Sequence, residues 1–70
     1  MNTTNIRLEG YEVTQEIVTG FKVYRDQVQV ATIEKRNNEW IGAITAGTKV
    51  MMFQNENFEE VLNKINKLTV

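Results

Sequence analysis

The chain of 70 residues has no cysteine, no histidine and no proline, and each absence closes off a class of explanation. Without cysteine no disulfide can hold the fold, and without cysteine or histidine the usual structural zinc sites lack their ligands. Packing alone must carry the structure. The same two absences leave no Ser/His/Asp or Cys/His set for nucleophilic catalysis, so the expected protein is not an enzyme and carries neither metal nor cofactor. No proline and only four glycines point to compact elements joined by tight turns rather than to flexible linkers.

A charge surplus is missing as well. Eight basic and nine acidic residues give a formal charge of −1, with the two signs interspersed, whereas a domain that grips a nucleic-acid backbone usually shows a basic excess. Apolar runs are only a few residues long, far below the roughly 20 that a bilayer-spanning helix requires. No charged-then-apolar leader opens the sequence, so the expected setting is the cytoplasm.

What is present is a pattern. Phe58, Val61, Leu62, Ile65 and Leu68 recur at helical spacing on one stripe, predicting an amphipathic helix over residues 57 to 68. Asn57 stands as its N-cap, Glu60 as the acid of a capping box, and Lys64 and Lys67 lie toward the negative end of the helix dipole. The acidic group Glu56, Glu59 and Glu60 is accounted for by that dipole rather than by acid–base chemistry, which needs a cleft. A helix this short is marginal alone in water, so its stripe needs a sheet to cover it.

The rest reads as strands. Met1 to Asn5 are polar and aperiodic, predicting a frayed end, and Ile6 and Leu8 alternate with charges as an edge segment. Tyr11 to Val18 alternates as a first full strand, and Thr19-Gly20 is read as either a turn or a bulge. Phe21 to Tyr24 is a strand, Arg25-Asp26 a two-residue turn, and Val28 to Lys35 the next strand. Asn37-Asn38 is the clearest turn, because asparagine tolerates the positive φ of hairpin turns, and it pairs Arg36 with Glu39. Trp40 to Thr45 follows, Ala46-Gly47 ends it, and Lys49 to Phe53 is the last strand. The fold class predicted is α+β: one domain over residues 1 to 70, an antiparallel β-meander of four to five strands with one C-terminal α-helix packed on one face.

Carrying these registers through puts Phe21, Val23, Val28, Val30, Ile41, Ala43, Val50 and Met52 on the face toward the helix. The opposite face then holds Tyr24, Ala31, Ile33, Trp40, Ile44, Met51 and Phe53, too apolar to be left in water. Tyr24, Ile33, Trp40, Ile44, Met51 and Phe53 are therefore the candidate partner-binding residues. The expected function is that of a small non-enzymatic protein-binding module of accessory, adaptor or inhibitor type, its partner another protein or a second copy of the chain. The alternative is a nucleic-acid-binding surface, with Lys22, Arg25, Lys35, Arg36 and Lys49 as a basic rim around stacking aromatics. Nothing indicates a membrane or a small-molecule substrate. In layout over residues 21 to 68, a strand meander followed by a helix, the chain resembles the arm-site DNA-binding domains of some mobile-element integrases and small proteins of bacteria and their phages. No motif carries that likeness, and it transfers no residue.

Overall fold

In a computed structural model of the chain, residues 6 to 69 are described, and the expected frayed segment Met1 to Asn5 lies outside them. Five strands form one antiparallel sheet in chain order: β1 (Ile6–Thr14), β2 (Ile17–Arg25), β3 (Val28–Arg36), β4 (Glu39–Ala46) and β5 (Lys49–Asn55). The helix α1 (Phe58–Leu68) returns across one face. The α+β meander with a C-terminal helix is thus what the chain forms.

Each hairpin closes through two residues, and positive φ marks every turn. Gln15 and Glu16 (54° and 67°), Asp26 and Gln27 (54° and 69°), and Asn37 and Asn38 (52° and 68°) all take the left-handed conformation, as does Gly47 (64°). Paired positive φ matches the right-handed twist of the flanking strands, which is why such turns dominate short hairpins. Asn37-Asn38 is the expected turn and pairs Arg36 with Glu39. Three other boundaries move. Residues 11 to 18 are interrupted by the Gln15-Glu16 turn, so β1 takes in the Ile6 and Leu8 segment. Thr19-Gly20 is no turn but lies inside β2 at a register irregularity, with Glu12 opposite Gly20 and Val13 opposite Val18. The last hairpin turns one residue later than expected, on Gly47 and Thr48, with Ala46 opposite Lys49.

The shift in the second hairpin matters most. The turn is Asp26-Gln27 rather than Arg25-Asp26, so Arg25 pairs with Val28 and Tyr24 with Gln29. Val30 is then an extra residue on β3, and beyond it Val23 pairs with Ala31 and Phe21 with Ile33. Opposed residues in an antiparallel pair share a face. Phe21 and Val23 therefore lie with Ala31 and Ile33, and through β4 and β5 with Trp40, Gly42, Ile44 and Phe53. This combined set is the face under α1. Val23, Ala31, Ile33, Ile44, Val61 and Ile65 form the buried core, with Ile6, Leu8, Val30, Trp40, Phe53, Phe58 and Leu62 packed half-buried around it.

Two devices seat the helix. A Cβ on Gly42 would stand 2.8 Å from both the Phe53 ring and Val61, so glycine lets α1 approach β4. At one end Phe21, Trp40 and Phe58 form an aromatic cluster with centroids 5.0 to 6.1 Å apart. At the other end Arg25 reaches from β2 to the helix C-terminus, its Nη2 donating to Asn66 Oδ1 at 2.6 Å and to the Asn66 carbonyl at 3.3 Å. A cation there also meets the negative end of the dipole. Asn57 caps α1 as predicted, its Oδ1 accepting from Glu59 N at 2.9 Å. The reciprocal half of the box differs, since Asn57 N donates to Asn55 Oδ1 at 2.8 Å rather than to Glu60.

Candidate protein-binding edge

The six residues expected on an open sheet face are distributed otherwise. Ile33 and Ile44 are 0% and 5% exposed, in the core beneath α1. Trp40 packs against Phe58, and Phe53 against the same core. A partner cannot reach Ile33 or Ile44 while the helix is in place, so that part of the expected surface is corrected: the helix itself covers this face. Met51 is opposite Ile44 but exposed. Tyr24 lies on the other face, where the Arg7 guanidinium stacks 4.4 Å from its ring centroid and its hydroxyl donates to Glu9 at 3.3 Å.

The basic residues do not converge on one rim. Arg25 is committed to the helix C-terminus. Arg36 pairs with Glu34 at 3.0 Å and Glu12 at 3.3 Å. Lys22 lies over the Tyr11 ring on the outer face, whereas Lys35 lies over Trp40 on the helix side. Lys49 opens β5, at the far side of the sheet from β1.

The outer face, away from α1, has two halves. Across β1 to β3 it is polar and internally paired: Arg7 with Glu9, Arg36 with Glu12 and Glu34, and Tyr11 donating its hydroxyl to Glu34. That hydrogen bond to a carboxylate, with partial burial and the nearby negative charge, pushes the Tyr11 phenol from its ordinary 10.0 up to about 12. Across β4 and β5 the apolar side chains of Ile41, Ala43, Val50 and Met52 stand among Glu39, Thr45 and Gln54. Thr32, Ala43 and Met52 form one cross-strand row, Ile41 faces Gln54, and Val50 faces Thr45. Val50 and Met52 are 60% and 65% exposed.

The two sheet edges differ as sharply as the two halves. β1 carries Arg7, Glu9 and Glu12 and is broken by register shifts around Gly10 to Val13, the features that keep an edge from pairing with another chain. β5 carries one charge, Lys49 at its start; from Val50 to Asn55 it pairs regularly with β4 and holds no charged residue. The two-residue turn makes Ala46 and Lys49 the hydrogen-bonded closing pair, and the ladder alternates from there. Lys49, Met51, Phe53 and Asn55 therefore direct their backbone groups to β4, and Val50, Met52 and Gln54 direct theirs outward. Among the described residues no strand pairs with that side. Sequence patterning marked Met51 to Phe53 as apolar but missed the edge, because strand order is a property of the whole meander.

A second feature is a groove of about 320 Å³ between β1 and α1, lined by Ile6, Leu8, Glu59, Leu62, Asn63 and Asn66. Among the described residues no cluster of three or more acidic residues is placed to hold a metal ion, and no helix is long and apolar enough to cross a membrane. Comparison with protein-family models, curated proteins and solved structures found no match to this chain.

Proposed function

We propose that the chain is a non-catalytic, cytoplasmic protein-binding module of accessory, adaptor or inhibitor type that works by strand addition at β5. The observation that supports this reading is the open edge of β5, uncharged from Val50 to Asn55 and flanked by the exposed side chains of Val50 and Met52. An added strand satisfies the outward backbone groups of Val50, Met52 and Gln54, which gives affinity. The alternating side chains give selectivity: on the outer face an apolar residue meets Val50, Met52 and Ala43, and on the helix face one meets Met51 and the rim of Phe53.

The test is a selection of extended peptides from a displayed library on the folded chain, read by amide hydrogen exchange in the complex. The expected result is slowed exchange at Val50, Met52 and Gln54. Ligands that protect only residues elsewhere, or retention on single-stranded nucleic acid at low salt without any β5 protection, would overturn the reading.

A further inference from the structure

Resting on that reading, we infer that the strand β5 accepts is β5 of a second copy, antiparallel about Met52, giving a symmetric dimer with one ten-stranded sheet. A two-fold axis perpendicular to the sheet keeps each residue on its own face, so Met52 lies opposite Met52 of the other copy. Val50 then lies opposite Gln54, Met51 opposite Phe53 and Lys49 opposite Asn55. All three residues with outward backbone groups find partners, forming six backbone hydrogen bonds across the interface. Moving the centre to Met51 pairs Val50 with Met52 and leaves Gln54 opposite the turn residue Thr48, so the Met52 register satisfies more of the edge.

Charge and side-chain complementarity favour the chain itself as occupant. The central segment, Val50 to Asn55, holds no charge to oppose its own copy, and antiparallel pairing sets Lys49 at one end beside Asn55 and Glu56 at the other. Parallel pairing would set Lys49 against Lys49. The bulged, charged β1 edge cannot supply the same fit, so a closed dimer is favoured over an open-ended chain of sheets.

The test uses the whole chain in sedimentation equilibrium, with two surface variants. Wild type is expected at twice the 8.1 kDa chain mass. Met52→Lys and Met52→Glu each place like charges directly opposite one another and are expected to weaken the dimer by roughly tenfold or more. Mixing the two is expected to restore dimers as mixed pairs. Because the chain lacks cysteine, Met52→Cys is expected to cross-link on oxidation and Val50→Cys is not, since two-fold pairing keeps the Val50 positions apart. A monomer at all concentrations, a polymer, or a dimer indifferent to both Met52 charges would overturn the inference. The binding-module reading fails separately, if β5 also takes no peptide. Unchanged near-ultraviolet circular dichroism of Trp40 in each variant shows that the fold is retained.

Discussion

Trp40 and Phe58 meet edge to face, 5.0 Å between ring centroids and 76° between planes, which places the single tryptophan beneath the first turn of the helix. Phe58 also packs 5.3 Å from Phe21, so one side chain joins α1 to β2 and β4 together. Truncating it removes aromatic contacts that add to its area burial. Phe58→Ala is expected to lower stability by about 2 kcal/mol, below the usual range for a fully buried Phe because the residue is half-buried. Urea unfolding measures the loss, and Trp40 emission in the folded state should shift to longer wavelength as water reaches the indole.

Gly42 marks the closest approach of helix and sheet. A methyl group there meets the Phe53 ring and Val61 at 2.8 Å, inside the distance real side chains adopt. Gly42→Ala is expected to destabilise by about 1–3 kcal/mol through overpacking, outweighing the usual gain of alanine over glycine in a strand. An unchanged urea midpoint would contradict the packing described.

The turn at Asp26-Gln27 holds a glutamine at φ 69°, a conformation in which a non-glycine residue is strained. Gln27→Gly creates Asp-Gly, the preferred pair for this hairpin turn. Stability is expected to rise by about 0.5–1 kcal/mol, and a loss would show that the turn is formed elsewhere. Moving the glycine one residue back, as Asp26→Gly, distinguishes this turn from an Arg25-Asp26 alternative only weakly, so the Gln27 variant is the informative one.

Tyr11 gives a pH dependence of definite sign. Its folded value of about 12 lies above the ordinary 10.0, because the Glu34 carboxylate accepts its hydroxyl proton. The neutral phenol is therefore favoured by folding. Its contribution is fully present below pH 10, and it is lost as the pH rises from 10 through 12, where the unfolded chain has released a proton that the folded chain retains. In a Tyr24→Phe background, phenolate absorbance should titrate near 12, and adding Glu34→Gln should bring it down toward 10. Titration near 10 with Glu34 intact would show that the pair is not formed.

The helix, its cap, the Asn37-Asn38 hairpin and the relative faces of β4 and β5 were legible in the sequence, because each rests on local period or local turn chemistry. The side of the sheet that α1 covers was not. Arg25-Asp26 and Asp26-Gln27 are adjacent frames with similar turn propensity, and a slip of one residue exchanges faces. That slip joined Phe21 and Val23 to Val28 and Val30 instead of to Ala31 and Ile33. Ile33 and Ile44, chosen as exposed, are in consequence the centre of the core. The signal that arbitrates is Arg25 itself: only the later turn points its guanidinium to the helix C-terminus at Asn66. The open edge at β5 was equally hidden, since a strand's neighbours depend on topology and not on its own residues.

The most direct measurement is amide hydrogen exchange along β5 and β1 in the wild-type chain over a series of protein concentrations. Exchange at Val50, Met52 and Gln54 is expected to slow as concentration rises, while the outer amides of β1 stay fast. Rapid exchange at those three β5 amides at every concentration, unaltered by peptides selected on the folded chain, would contradict the assignment of β5 as the binding edge.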